Sequence, residues 1–276
     1  MVTHAIIPAA GLGTRVLPAS KAVPKEMFPI PHRFGNRYML YPMIHLIFDA
    51  LYNVGIRNFC FVISPSKERI MEYFKPDQEF IDTLINLGKE DGAKVLKEFY
   101  SRLSRCKIDF RIQEEALGVG DAVLRGREFV GDNSFMISMG DDLILGDGDN
   151  VYRKLIDIFV SRKVDGVVLV KEVEDPRHYG VVIGKKMTDS LYKVEKIIEK
   201  PKTPVSNLAI LGIYVLKPWI FDVMEEMMGN REWELTDAVD EMAKRGEMLA
   251  YKVDNIYRID IGRVETYIDL FKDIKL

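Results

Sequence analysis

The sequence predicts an α/β fold in which a mainly parallel mixed sheet is flanked by helices and joined by a β-rich second half. Three observations predict it. Short apolar runs at residues 5–8, 58–63 and 135–139 alternate with longer stretches of helical period, the pattern of a parallel sheet with helices on its faces. The chemistry-bearing residues at 9–13, at Gln113 and at Asp141 follow directly on such runs, and open parallel sheets bind ligands beyond the carboxyl ends of their strands. From about Asp165 strand-like runs follow one another with little helix between.

In chain order, residues 5–8 make a buried strand that ends in a turn of small residues, 9–13. Residues 39–55 carry apolar side chains at helical spacing, with Gly55 placed to stop the helix. Residues 58–63 form a second buried strand, and 66–105 a polar helical stretch interrupted near Pro76. The alternating run 107–113 is a third strand, 119–130 a helix and 135–139 a fourth strand. Strands are then expected at 167–173, 180–183, 194–198 and 209–216, helices at 218–228 and 235–245, a strand at 251–261 and a closing helix at 264–271. No internal repeat is present, and no hexapeptide β-helix pattern follows.

At 276 residues with 47% hydrophobic content, the chain has room for one large α/β domain. A net charge of −3 gives no electrostatic reason to expect nucleic acid, so an anionic ligand must be held by local cations. Cys60 and Cys106 lack metal-type spacing and read as free thiols. No apolar run approaches the roughly 20 residues of a membrane span, and no signal segment opens the chain, so it reads as soluble, cytoplasmic and without a membrane partner.

The most informative stretch is IIPAAGLGTRVLPASKAVPKEMFPI, residues 6–30. Small residues at Ala9, Ala10, Gly11 and Gly13 let backbone N–H groups approach a phosphate closely. Arg15 adds a planar, permanently charged fork, and Lys25 a mobile point charge. Together they suggest a polyphosphate site. A P-loop is excluded because no lysine follows Gly13. A dinucleotide fold of the oxidoreductase type is disfavoured, since Val16 stands where its third glycine belongs and Pro18 obstructs the helix.

The run Gly-Leu-Gly-Thr-Arg, Leu17-Pro18, Ser20-Lys21 and Pro24-Lys25-Glu26-Met27 resembles the signature loop of the sugar-1-phosphate nucleotidyltransferases, and within them the branch that joins UTP to glucose 1-phosphate. The resemblance implies a Rossmann-like sheet with an inserted β-rich sugar-binding half. It further implies one domain over 1–276, with residues 1–164 for the nucleotide and 165–276 for the sugar and closing helix. The expected reaction forms UDP-glucose and pyrophosphate, with Mg²⁺ as cofactor and a homo-oligomer as the assembly. A thymidylyltransferase, an enzyme taking both UTP and dTTP, and a non-catalytic nucleotide-sugar sensor of the same fold remain alternatives. The sensor reading is weakened because Arg15, Lys25 and Asp141 are all present.

Both reactants are anions, so catalysis means neutralising and aligning them, with Arg15 and Lys25 as the cations. A hard divalent cation needs carboxylate oxygens. Asp141 and Asp260 are the candidates, each matching a family aspartate, while Asp142 is expected to face away as its strand neighbour. Each aspartate could instead cap a helix. A Gln113 amide that donates and accepts suits the N3–H and a carbonyl of uracil or thymine, and by resemblance Ala10, Gly11, Gly13 and Gly118 complete the nucleotide site. Also by resemblance, Gly180, Glu199, Lys200 and Glu234 hold the sugar phosphate. The plainer readings are an exposed ion pair for Glu199 and Lys200 and a helix cap for Glu234. No histidine is placed for acid–base work, and no serine or cysteine has a partner set for nucleophilic attack.

Overall fold

Strand β1 (His4–Pro8) is apolar on both faces, and this makes it the middle of the fold: Ala5 and Ile7 enter one hydrophobic cluster and Ile6 the other. The computed structural model describes the chain except residues 146–147, 229–233, 255, 263 and 273–276. After β1 come a short helix α1 (Ala19–Ala22), the hairpin β2 (Pro29–Phe34) and β3 (Arg37–Pro42), and helix α2 (Met43–Asn53). Strand β4 (Asn58–Ile63) is followed by α3 (Glu68–Tyr73), α4 (Gln78–Asn86), α5 (Glu90–Leu103) and β5 (Lys107–Ile112). Helices α6 (Gly118–Leu124) and α7 (Arg127–Val130) lead to β6 (Phe135–Ser138), β7 (Asp142–Leu145) and α8 (Gly148–Arg162). The second half runs β8 (Gly166–Glu172), β9 (Gly180–Lys186), β10 (Leu191–Glu199) and β11 (Leu208–Leu216). It closes with α9 (Ile220–Met227), α10 (Leu235–Arg245), β12 (Met248–Lys252), β13 (Tyr257–Asp260) and α11 (Val264–Lys272).

The main sheet has the order β5-β4-β1-β6-β11-β8-β12-β10-β9 among the described residues. Strands β5, β4, β1 and β6 are mutually parallel, as are β8 and β12; only β11 and β10 run against the rest. The expected mainly parallel mixed sheet is therefore present, and the β-rich half continues it through β11. The first residues of β11 also pair with β9, Leu208 opposite Val182, so the far edge curls back on the sheet. A separate ladder joins β13 to β7 and sets Asp260 opposite Asp142.

Several boundaries differ from the sequence expectation for identifiable reasons. The helix expected at 39–55 starts at Met43, because residues 39–42 pair with β2 and bury Tyr41 and Ile30. The helical stretch 66–105 breaks near Pro76 as expected and again at Gly88 (φ +67°). The helix at 119–130 breaks around Gly126, which lies so close to β1 that a Cβ there would stand 2.4 Å from Ile6 Cδ1. The expected strand 251–261 is two strands in different sheets, β12 and β13. Between Asp142 and Val164 the sequence predicts no element, whereas the structure has β7 and α8. Cys60 and Cys106 are free thiols, and burial pushes the Cys60 thiol up to about 12. No helix among the described residues is long and apolar enough to cross a membrane.

The larger cluster is knitted by aromatic rings. Phe48 packs on Phe59, Phe74 and Phe99 at centroid distances of 4.7, 5.8 and 5.7 Å. Removing a ring so enclosed leaves a cavity between α2, β4 and α5. Phe48→Ala should lower stability by about 3–5 kcal/mol in denaturant titration; a loss under about 1 kcal/mol would show that the neighbours collapse into the gap.

Candidate active site

The loop after β1 is held from below by a buried ion pair. Lys67, at the carboxyl end of β4, donates to the Ala9 carbonyl (2.7 Å) and to both Glu26 oxygens (2.7 and 2.8 Å). Ala9 N–H donates to Val62 O at 2.7 Å, so the turn is fixed at both sides. Burial raises the Glu26 carboxyl and lowers the Lys67 ammonium, each opposed by the other's charge. Gly13 is left-handed at φ +67°, and Ser20 Oγ donates to its carbonyl at 2.8 Å, closing the loop. A Cβ at Gly11 would stand 3.9 Å from Lys25 Nζ, which places this glycine beside the lysine. Arg15 lies exposed on a 3-10 turn, Thr14–Val16, and Lys25 opens a second such turn, Lys25–Met27.

Lys25 Nζ donates to Asp141 Oδ2, tying the loop to the end of β6. Burial works against both charges, yet the ion pair prevails: the Lys25 ammonium is raised and the Asp141 carboxyl lowered. The β7–β13 ladder brings Asp260 alongside, with Ile261 N–H donating to Asp141 O at 3.1 Å. Asp260 Oδ1 accepts from Gly262 N–H at 2.7 Å, a local turn. Asp142 does not face away from the site as the strand alternation suggested. Asp141 lies outside β7, so strand alternation does not set the two apart, and Asp142 borders the same cleft. There Arg258 Nε grips its oxygens at 2.7 and 2.9 Å, while burial pushes the Asp142 carboxyl up to about 6.

The second half supplies the opposite wall. Gly180 opens β9 where a Cβ would stand 2.7 Å from Thr236 Cγ2 and 3.0 Å from Glu199 Oε2. Thr236 Oγ1 donates to Glu199 Oε2 at 2.9 Å. Lys200 takes a left-handed backbone (φ +41°), and its Nζ lies 2.8 Å from Glu199 and 3.7 Å from Glu234. Glu234 also forms a capping box with Asp237 at the start of α10, so its helix-cap role and its place in the cleft coexist.

These walls enclose a cleft of about 250 Å³ bordered by Arg15, Asp141, Gly180, Glu199, Lys200, Glu234 and Asp260, along with Arg258 and Tyr179. His178 is also at its edge. Lys25 reaches the cleft through Asp141, and Gly11 lies beside Lys25. Ala10, Gly13, Gln113 and Gly118 do not line it; they sit in the loop after β1, at the carboxyl end of β5 and at the start of α6. Gln113 is buried, and its Nε2 donates to Gly118 O (3.0 Å) and Asp121 Oδ2 (2.8 Å). The sequence expectation that this amide both donates to and accepts from a base needs correction, since both its N–H bonds are engaged by protein. Lys67, Arg258, Thr236 and Asp121 were not singled out from sequence. Arg258 had a signal, because strand alternation puts it on the same side as Asp260.

A second cavity of about 300 Å³ lies behind α2 and α5 and holds none of these residues. Three of its groups are mutually engaged: Arg102 Nη1 is 2.6 Å and His45 Nε2 3.3 Å from Asp49 Oδ2.

A parallel sheet with a glycine-rich loop at its switch point, a lysine–aspartate pair and a facing wall that carries Glu199, Lys200 and Glu234 is an arrangement suited to group transfer between phosphates. The family model for nucleotidyl transferases matches residues 4–275, and the chain belongs to that family. Within it, a UTP–glucose-1-phosphate uridylyltransferase of Pseudomonas aeruginosa is 33% identical, covering 98% of this chain and 94% of the relative. One from Staphylococcus epidermidis is 37% identical over 95% of this chain and 88% of its own length. Among solved structures, the UTP-bound UGPase of Acinetobacter baumannii superposes with a TM-score of 0.85 at 29% identity, covering 98% of this chain and 92% of that one. A UDP-glucose pyrophosphorylase complexed with UDP-glucose gives a TM-score of 0.82 at 29% identity, with 99% and 98% covered.

The Glu26–Lys67 pair yields a test by proton linkage. In Lys67→Met the buried Glu26 loses its cation, so its folded-state pKa rises further above the unfolded value. Stability from such a group is present at low pH and lost as pH rises through the folded pKa. The variant should therefore be about 3–5 kcal/mol less stable than wild type near pH 8, with the deficit shrinking toward pH 5 in denaturant titrations. A deficit independent of pH would mean that Glu26 is not stranded.

Proposed function

We propose that the protein joins UTP to glucose 1-phosphate, releasing pyrophosphate and forming UDP-glucose, as a UTP–glucose-1-phosphate uridylyltransferase. The observation that carries this reading is the meeting in one cleft of Arg15 and the Lys25–Asp141 pair from the first half with Gly180, Glu199, Lys200 and Glu234 from the second. Residues 1–276 then act as one nucleotidyltransferase domain, with 1–164 holding the nucleotide and 165–276 the sugar phosphate.

In this reading, the backbone of Ala10, Gly11 and Gly13 cradles the triphosphate, and Arg15 and Lys25 neutralise it. Gln113 and the Gly118 loop face the base. Glu199 accepts hydroxyl hydrogens of the hexose beside Gly180, and Lys200 pairs with its phosphate. Glu234 stands at the sugar end. A phosphate oxygen of glucose 1-phosphate attacks the α-phosphorus of UTP as the bond to the β-phosphate oxygen breaks, and pyrophosphate leaves. No enzyme group becomes covalently attached. The work of the protein is alignment and charge neutralisation.

The carboxylates fit a divalent cation, for which we propose Mg²⁺. Asp260 stands opposite Asp142 in the β7–β13 ladder and Ile261 N–H donates to Asp141 O, so Asp141 and Asp260 border one cleft, and among the described residues no cluster of three or more His, Cys, Asp or Glu could cage a metal. Two carboxylates with the remaining positions left to water and phosphate oxygens suit Mg²⁺. When bound, the ion offsets charge on the triphosphate oxygens.

A pyrophosphate-release panel of UTP, dTTP, ATP, CTP and GTP against glucose, galactose and N-acetylglucosamine 1-phosphates tests the reaction. UTP with glucose 1-phosphate should be the best pair, and chelation should stop turnover until Mg²⁺ is restored. Absence of pyrophosphate from that pair would sink the reading. Lys25→Ala should lower kcat at least about 100-fold in a folded protein; near-normal turnover would remove Lys25 from the site. Glu199→Gln keeps the shape but weakens the acceptor, so KM for glucose 1-phosphate should rise about tenfold with KM for UTP unchanged. A rise in both would place Glu199 outside the sugar wall.

A further inference from the structure

The orientation of the Gln113 amide is decided by its neighbours. Its Nε2 faces two acceptors, the Gly118 carbonyl and Asp121 Oδ2, at 3.0 and 2.8 Å. Turning the amide over would set Oε1 against both, three lone-pair oxygens with no hydrogen between them. Asp121 is itself fixed: Arg125 Nε donates to Oδ2 at 2.8 Å and Nη2 to Oδ1 at 3.4 Å, while Arg125 Nη1 donates to Ile112 O at 3.2 Å. With both N–H bonds engaged, the amide has only Oε1 left to offer a ligand, and among the described residues Oε1 accepts no hydrogen bond.

We propose that Asp121, locked by Arg125, is a positioning residue that makes Gln113 a pure acceptor and so selects a pyrimidine carrying an N3–H. The inference rests on the proposed nucleotidyl transfer and deepens it. Uracil and thymine present a donor at N3, whereas cytosine presents a lone pair there. Against a fixed Oε1 that lone pair is repelled, and the amide cannot turn to accommodate it. Rejection of the wrong base thus comes from a repulsive element, not only from a missing contact. The same arrangement does not separate uracil from thymine, which differ at carbon 5.

Asp121→Asn tests this. Asparagine keeps the volume and can still accept from Arg125, but it can also turn an N–H toward Gln113, so both amide orientations become accessible. Steady-state kinetics with UTP and CTP, at saturating glucose 1-phosphate, should show the UTP-to-CTP ratio of kcat/KM falling by about tenfold or more. The change should lie mainly in the two KM values. A residue that merely supports the helix would lower both substrates in proportion, and an unchanged ratio overturns the proposal whatever the melting temperature does. Should Asp121→Asn fail to fold, Arg125→Met frees the carboxylate without touching Gln113, and the same fall or constancy of the ratio decides. Wild-type turnover of UTP separates the two ideas: turnover with an unchanged ratio in the variants removes only the role of Asp121, whereas no turnover of UTP removes the reaction and this inference with it.

Discussion

The structure depends on keeping charge buried under a cleft without stranding any of it. Lys67 and Glu26 pair beneath the loop, Lys25 and Asp141 pair at its rim, and Arg258 clamps Asp142 beside Asp260. Each is a contact between segments distant in the chain, so each charge pair is also a tie between elements. The Glu26–Lys67 tie fixes the loop to the end of β4; the Lys25–Asp141 tie fixes it to the end of β6. A glycine-rich loop without such ties would have to be ordered by its ligand, at a cost in affinity. Here the ordering is done on folding.

One sheet carries both halves, and this is what makes the cleft a single rigid object. Strand β11 runs antiparallel between β6 of the first half and β8 of the second, and its start also pairs with β9. The ends of β6 and β9, where Asp141 and Gly180 stand, are therefore linked by continuous backbone hydrogen bonds and not by a linker. Gly212, left-handed at φ +67°, sits in the irregular part of β11, where a Cβ would meet Met139 Cγ at 2.7 Å. The bend of β11 and the close approach of the cleft floor to it need the same glycine.

Much of this was legible in the sequence because buried strands write their pattern locally. β1, β4 and β6 are apolar on both faces and read as continuous runs. Residues 39–42 were not, because their apolar spacing fits a helix as well as a strand, and pairing with β2 decides between them. Residues 251–261 keep one alternation across two different sheets, since periodicity reports which face is buried and not against what. Among site residues, Arg15, Asp141, Gly180, Glu199, Lys200, Glu234 and Asp260 converge on one cleft. Lys67, Arg258 and Thr236, which hold Glu26, Asp142 and Glu199, went unread because a contact across 41, 116 or 37 positions leaves no trace in spacing. Gln113 shows the sharper limit: the residue was found, but which of its atoms are engaged depends on Asp121 and Gly118 folding back onto it.

The state of each cation before substrate arrives bears on how two anions can share this cleft. Arg15 is exposed, and in the proposed reading its fork is open to a phosphate. Lys25 is paired with Asp141, but an ammonium carries three N–H donors and one carboxylate oxygen engages one of them. A phosphate oxygen can therefore be met without breaking the tie that holds the loop. By the same count Lys200, 2.8 Å from Glu199 and 3.7 Å from Glu234, keeps a donor for an anion. In the proposed reading the phosphate of a sugar 1-phosphate takes that donor while Glu199 accepts from a hexose hydroxyl. Both walls then meet their ligand without giving up the ion pairs that shape them.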